Sequence, residues 1–165
     1  MNTKKILEPS SLDKIRFTDC DPFGHLNNSR YLDYIINARE NHLLEFYELS
    51  LDEYYKKGIA WVVAGHEIAY LRPARFNEII CIQTSLISAT DNALQVEGIM
   101  FDEYKKSIKA VLWTKFTCID LKTGKKQNHN SELMEFAERV LNTQIDPSVG
   151  LTKRLKSLSE IVNSQ

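Results

Sequence analysis

The sequence is poor in cysteine and has no cysteine framework. Its 165 residues include three cysteines, Cys20, Cys81 and Cys118, an odd number without CxxC spacing. This pattern speaks against a disulfide framework and against a structural zinc site. It fits a protein of the reducing cytoplasm, which is where we expect this one to act.

Long hydrophobic runs and an excess of charge of one sign are also missing. The leader MNTKKILEPSSLDK has no apolar run of signal-peptide length, and no later segment approaches the roughly 18 apolar residues of a membrane span. The 21 basic and 22 acidic residues leave a net charge of -1. Neither a nucleic acid nor a membrane is therefore predicted as a partner, and a small ligand is favoured.

The length of the chain fits one domain that buries a sizeable core. We predict a single domain over residues 1–165, with its core at about 12–128 and a helical extension at about 130–165. No repeat and no low-complexity segment divides the chain.

Hydrophobic periodicity predicts an α+β fold around one long helix. The segment DKIRFT alternates in polarity and predicts a short strand. From Ser29 to about Tyr47 the polar residues fall on one narrow face, which predicts a helix buried around most of its circumference. A shorter helix follows, with Ser50 as its N-terminal cap and Gly58 at its C-terminal end.

Four long β segments come next, at about 59–72, 78–89, 93–103 and 108–121. Short connections predict that neighbours in sequence pair in an antiparallel manner. Two amphipathic helices end the chain, the first capped by Ser131. A sheet of about five strands can curl around the long helix, while its other face or an edge needs a covering that self-association would supply.

The segment TDCDPFGHLNN, directly before the long helix, carries the residues best suited to chemistry. Pro22 and Gly24 turn the chain, and Asn27 or Asn28 is expected to cap the helix. Free N–H groups at a helix start can hold an oxygen that becomes negative during a reaction. A carboxylate beside them can act as a general base or a nucleophile, a pairing that suits acyl transfer.

Other interpretations of this segment remain open from composition alone. Its residues are also ordinary capping and turn residues, and His25 alone is more typical of a structural histidine. A calcium loop would need oxygen ligands where Phe23 and Arg30 stand, and no second His or Cys completes a transition-metal site. Neighbouring carboxylates would raise the pKa of Cys20, so packing is its predicted role.

The motif FTDCDPFGHLNNSRYLDYIINAR, followed by EIAYLRPARFNEIICIQTSL, resembles the hotdog-fold thioesterases. The similarity is to the 4-hydroxybenzoyl-CoA and acyl-CoA thioesterase group and also to the acyl-carrier-protein thioesterases. It extends from about Lys14 to Lys126. The resemblance implies an α+β hotdog fold, in which an antiparallel sheet wraps around a central helix, and an active site at the interface of a homodimer or homotetramer.

The same resemblance assigns roles to individual residues. In the hydroxybenzoyl-CoA group the second aspartate of Asp-x-Asp is catalytic, which points to Asp21 with Asp19 as support. The backbone N–H that polarises the thioester carbonyl corresponds to Asn28. His25 and Asn27 match the acyl-carrier-protein branch, with His25 as a possible catalytic helper. Phe23 replaces the catalytic asparagine of that branch, which weakens the likeness to its mechanism.

Further residues are expected to bind the substrate. The resemblance to the family suggests that Asn27 and Tyr31 belong to this group. Strand residues of the partner chain line the acyl pocket in this family, and the corresponding candidates are Trp61, Val63, His66, Ile68 and Tyr70. Each has an alternative interpretation as core or interface packing. Arg72 and Arg75 could attract the phosphates of coenzyme A or simply keep the surface soluble.

The sequence thus predicts an enzyme that hydrolyses an acyl thioester of coenzyme A or of acyl carrier protein, without metal or cofactor. A hotdog hydratase or dehydratase is an alternative, but it needs a different His-containing loop. A non-catalytic protein that binds acyl thioesters is the other alternative. The acidic side chain of Asp21 argues against it.

Overall fold

In a computed structural model of the chain, which describes residues 5–164, a five-stranded antiparallel sheet wraps around one long helix. The strands, in the spatial order β1-β3-β4-β5-β2, are β1 (Ser10–Lys14), β2 (Ile59–Tyr70), β3 (Ile79–Ala89), β4 (Ala93–Asp102) and β5 (Ile108–Asp120). The helices are α1 (Arg30–Tyr47), α2 (Leu51–Lys56), α3 (Ser131–Val140) and α4 (Leu151–Asn163). This is the predicted α+β architecture.

Helix α1 packs on one face of the sheet and forms the main core with it. Tyr31, Tyr34 and Ile35 of α1 belong to one buried cluster with residues of β3, β4 and β5. A Cβ atom at Gly98 would overlap the side chain of Ile35, so glycine allows the helix to approach β4 closely. The prediction that α1 is buried around most of its circumference was wrong for its C-terminal half, where Leu44 is 58% exposed.

Helix α4 covers the opposite face of the sheet. Its Leu151 and Leu158 pack with Val111 and other residues of β3, β4 and β5 in a second buried cluster. The guanidinium of Arg154 forms two hydrogen bonds, of 2.8 and 2.9 Å, with the buried carboxylate of Glu97. The chain itself therefore covers this face over β3, β4 and β5, while the outer edge of β2 stays open.

Two predictions about the strands need correction. The first strand ends at Lys14, and residues 17–19 form a 3-10 turn, because the N–H groups of Asp19 and Cys20 bond back to Arg16 and Phe17. The strands β2 and β3 follow each other in sequence but are not paired, since β2 pairs with β5 at one edge and β3 with β1 near the other. The connection between them crosses the end of the sheet where α1 begins.

The helix caps also differ in part from expectation. The side chain of Asn130, and not that of Ser131, caps α3 by accepting a hydrogen bond of 2.9 Å from the N–H of Leu133. Ser50 occupies the N-terminal cap position of α2 without a side-chain bond, and Gly58 follows the helix with a φ of +80°. Within residues 5–164 no helix is long and apolar enough to span a membrane.

Candidate active site

The loop between the 3-10 turn and α1 is built around the carboxylate of Asp21. Its Oδ1 atom accepts hydrogen bonds from the N–H groups of Phe23, at 2.9 Å, and His25, at 3.0 Å. The N–H of Asp21 in turn donates to the carbonyl of His25 at 2.8 Å. Gly24 takes a φ of +74°, which a side chain would strain, and so closes the turn. One carboxylate oxygen is thus fixed by the backbone.

The connection between β2 and β3 holds this loop in place. The N–H of Leu26 donates to the carbonyl of Ala74 at 2.9 Å, and the N–H of Phe76 donates to the carbonyl of Gly24 at 2.8 Å. The N–H of Ala74 donates to the hydroxyl of the buried Tyr31 at 2.9 Å. The loop, the connection and the first turn of α1 therefore form one hydrogen-bonded unit.

Helix α1 starts without a side-chain cap. Ser29 occupies the cap position and makes no capping bond, so the prediction that Asn27 or Asn28 caps the helix was wrong. The N–H of Arg30 donates to the carbonyl of Asn27 at 2.8 Å. Within residues 5–164 the N–H groups of Asn28 and Ser29 have no acceptor. These groups carry the partial positive charge of a helix start.

A cavity of about 470 Å³ lies where these elements meet. Of the predicted site residues, it does not include Arg75 or the β2 candidates Trp61, Val63, His66 and Ile68. The lining residues are Asp21, His25, Leu26, Asn27, Asn28, Tyr31, Tyr70, Leu71, Arg72 and Pro73. Leu26, Leu71 and Pro73 were not predicted from the sequence. No local motif marks the two leucines, whereas Pro73 lies between Arg72 and Arg75, which were predicted.

Two tyrosines connect α1 to the end of β2 across this cavity. The rings of Tyr31 and Tyr70 meet edge to face, with centroids 5.2 Å apart. The hydroxyl of Tyr70 donates a hydrogen bond of 2.8 Å to the backbone carbonyl of Asn28. The start of α1 is thus positioned by β2 as well as by the loop.

His66 and Arg75 lie outside the cavity lining. The Nδ1 atom of His66 is 2.9 Å from the hydroxyl oxygen of Thr114 on β5. The backbone of Arg75 pairs with that of His25, and the N–H of Arg75 donates to Glu78 at 2.8 Å. Arg75 therefore shapes the loop through its backbone.

A bulge in β2 explains which of its side chains share a face. The register shifts between Val63 and Gly65, so that Val63 pairs with Phe116 and His66 with Thr114. Directly paired residues of neighbouring strands share a face of the sheet, and successive side chains of β5 point to alternate faces. The residues that share the α1 face of β2 are therefore Trp61, Val63, His66, Ile68 and Tyr70. This is the set singled out from the sequence for the acyl pocket.

The surroundings of Asp19 and Cys20, the neighbours of Asp21, fit structural roles for both residues. Asp19 accepts a hydrogen bond of 2.8 Å from the hydroxyl of Tyr34, and its backbone carbonyl accepts one of 3.0 Å from the N–H of Asn27. Burial raises the pKa of the Cys20 thiol, and the charges of Asp21 and Asp19 raise it further. The prediction that Cys20 is not a nucleophile agrees with this direction.

The arrangement leaves two side-chain groups of the cavity without a hydrogen-bond partner. Within the part of the chain that the structure describes, the Oδ2 atom of Asp21 has no hydrogen-bond partner, and neither has the imidazole of His25. Both side chains line the cavity that the start of α1 also lines. A fixed carboxylate with one open oxygen beside unoccupied N–H donors can activate a nucleophile and stabilise a developing oxyanion.

A sheet wrapped around a long central helix is the architecture that the resemblance to the hotdog-fold thioesterases implies. The chain belongs to the Thioesterase-like superfamily, whose family model matches residues 15–142. It is 30% identical over 128 residues to the long-chain acyl-CoA thioesterase FadM of Escherichia coli K12, an alignment covering 78% of this chain and 96% of FadM.

Solved structures agree with this family. YbaW of Escherichia coli, described as a probable thioesterase, superposes with a TM-score of 0.68 at 28% identity, over 81% of this chain and 98% of YbaW. Slr0204 of Synechocystis, a 1,4-dihydroxy-2-naphthoyl-CoA thioesterase, shares the fold with a TM-score of 0.72 at 16% identity, over 84% of this chain and 98% of its own. The predicted family, fold class and thioesterase activity are confirmed.

Proposed function

We propose that this protein hydrolyses acyl thioesters of coenzyme A at the cavity between Asp21 and the start of α1. The observation that carries the proposal is the free Oδ2 atom of Asp21 in the same cavity as the unoccupied N–H group of Asn28. FadM and Slr0204 are acyl-CoA thioesterases, which favours coenzyme A over a carrier protein as the acyl carrier.

The proposed reaction divides its work between carboxylate and helix. The N–H of Asn28 binds the thioester oxygen and stabilises the negative charge that develops on it. Asp21 either takes a proton from the attacking water or attacks the carbonyl itself to form an anhydride that water then opens. In both routes the C–S bond breaks, the thiol leaves as coenzyme A and the acid is released.

Substrate binding is assigned to the rest of the cavity wall. Arg72, exposed at its rim, has no anionic partner among residues 5–164 and is suited to a phosphate of coenzyme A. Asn27 and the two tyrosines Tyr31 and Tyr70 shape the side next to the thioester. His25 is placed to assist the carboxylate or a water. Arg75 and His66, which do not line the cavity, would contribute to substrate binding from outside it.

The proposed active form is a homodimer, or a pair of such dimers. Residues 62–67 of β2 are all exposed at the open edge of the sheet, and Val62 and Val63 are 43% and 46% exposed. A long edge strand with apolar side chains invites pairing with another strand. A second copy pairing there would cover this edge and bring its own β2 next to the cavity. The free thiols of all three cysteines fit a cytoplasmic location.

A panel of thioesters tests the activity and its carrier. We expect the wild-type protein to release thiol from acyl-CoAs of short, long and aromatic type with unequal kcat/KM, and to act more slowly on the same acyl groups attached to carrier protein. A preference for the carrier protein would overturn the assignment to coenzyme A. Single-turnover hydrolysis in ¹⁸O-labelled water separates the two routes, because only an anhydride places the label in Asp21.

A further inference from the structure

A second cavity lies at the other end of α1, enclosed by the helical extension of the chain. It is bounded by the C-terminal half of α1, by α3 and by the sheet, and apolar side chains form most of its wall, among them Leu43, Trp61, Leu94, Leu133 and Phe136. The space open to water-sized atoms is about 60 Å³. No residue lines both this cavity and the proposed active site.

Arg39 brings a positive charge to this apolar wall. Its guanidinium lies 4.4 Å from the ring centroid of Phe116, and within residues 5–164 it has neither a carboxylate partner nor a hydrogen-bond acceptor. Surrounding protein lowers its pKa to about 10, so the side chain stays cationic at neutral pH. Arg39 also keeps some exposure to solvent, which leaves it reachable by a ligand.

Most other polar side chains of the wall already have hydrogen-bond partners. His42 is 2.7 Å from the hydroxyl of Thr84 through Nδ1 and 2.9 Å from the hydroxyl of Ser11 through Nε2. No side-chain polar atom that is fully buried in the described part of the chain lacks a partner. The guanidinium of Arg39 is therefore the cationic group of this cavity, and it has donors left to offer.

We propose that this cavity binds a straight-chain monocarboxylic acid, with its carboxylate on Arg39 and its alkyl chain among the side chains of α1 and α3. A cation without an anionic partner in an apolar setting is stabilised by a carboxylate, which guanidinium binds in a two-pronged geometry. The apolar wall then removes the alkyl chain from water. A neutral acyl chain would leave the charge of Arg39 unpaired.

The size of the cavity sets the expected length of the acid. Since each water-sized atom needs about 10–15 Å³ of such space, the cavity holds a chain of about four to six atoms. Hexanoate is therefore the probe of choice. The ligand belongs to the same chemical class as the product of the proposed reaction. The site shares no residue with the cavity at Asp21 and does not depend on that proposal, although Trp61, one of the acyl-pocket candidates from the sequence, lines it.

Calorimetry with hexanoate and its uncharged isostere hexanamide tests the site. We expect the folded wild-type protein to bind hexanoate about ten- to a hundredfold more tightly than hexanamide, because the carboxylate gains charge-assisted hydrogen bonds. R39Q should lose that preference. R139Q is the matched control, since Arg139 also lies over a ring, that of Phe136, but does not line the cavity, and it should bind like wild type.

A second variant tests the place of the alkyl chain. Ala137 lines the cavity from α3, and A137L should fill it and weaken hexanoate binding about tenfold or more while leaving the far-ultraviolet spectrum unchanged. Equal binding of hexanoate and hexanamide by wild type, or unchanged hexanoate binding by R39Q, would overturn the proposal. D21N, which removes the proposed catalytic carboxylate, should bind hexanoate at this site as wild type does.

Discussion

The hydroxyl of Tyr70, at the end of β2, donates a hydrogen bond of 2.8 Å to the carbonyl of Asn28, the residue whose N–H faces no acceptor in the described chain. The edge strand and the helix start are thereby joined at the proposed oxyanion site. Because this hydrogen bond holds the carbonyl of Asn28 in place, the neighbouring backbone N–H groups can move less. They are then already oriented as donors before the substrate oxygen arrives.

The substitution Y70F tests this relationship. Because one net hydrogen bond contributes about 0.5–1.5 kcal/mol, we expect kcat/KM to fall about two- to tenfold. The loss should appear mainly in kcat, since the ring itself stays in place against Tyr31. Steady-state kinetics on an acyl-CoA checks the split between kcat and KM. An effect confined to KM would show that Tyr70 serves only to bind substrate.

The buried ion pair between Glu97 and Arg154 should anchor α4 to the sheet. The indole N–H of Trp113 donates to the same carboxylate at 2.9 Å, and the side chain of Glu97 is only 2% exposed. R154M leaves a buried charge unpaired, so we expect the free energy of unfolding to fall by about 3–5 kcal/mol in urea titrations.

The double variant E97Q/R154M is the control for this prediction. Glutamine can still accept the bond from Trp113 but carries no charge, so most of the lost stability should return. If the double variant were as unstable as R154M alone, packing of the arginine stem and not the unpaired charge would be responsible.

The sequence was sufficient for the parts of the fold that depend on periodicity and local residue choice. The long helix and β2 to β5 lie within a few residues of their predicted bounds. The segment around Asp21 lines a cavity beside the start of α1, and its role as the active site stays a prediction. The strand order could not be predicted from the sequence. The β2–β3 connection is short, which indicates paired neighbours, yet it crosses the end of the sheet. The role of the Tyr70 hydroxyl also depends on contact between residues 42 positions apart.

His42 should make stability dependent on pH. Burial lowers its pKa from 6.5 to about 4, so the unfolded chain takes up the proton first as the pH falls. The stabilisation is complete above pH 6.5 and is lost as the pH falls through 4, a change of up to about 3 kcal/mol. Urea titrations between pH 7 and 4 should show this decrease, and H42Q should show a flatter dependence.

The open edge of β2 predicts where a second copy binds. Two charges introduced by V62K/V63K should repel a pairing strand and turn the proposed dimer into a monomer, as measured by analytical ultracentrifugation. The control is K122Q/K125Q, which changes two exposed lysines in a turn beyond β5. It should leave the mass of the sedimenting particle unchanged. A dimer that survives V62K/V63K would place the interface elsewhere.

The central claim is that Asp21, and not its neighbour Asp19, carries the reaction. Asp19 is bound to the hydroxyl of Tyr34, a contact that asparagine can keep, whereas Asp21 has an open oxygen in the cavity. Thiol release from an acyl-CoA hydrolysed by wild type should fall about 10²- to 10⁴-fold in D21N. We expect less than about a tenfold loss in D19N. Equal rates for wild type and D21N, or no thiol release by wild type from any acyl-CoA, would contradict the account.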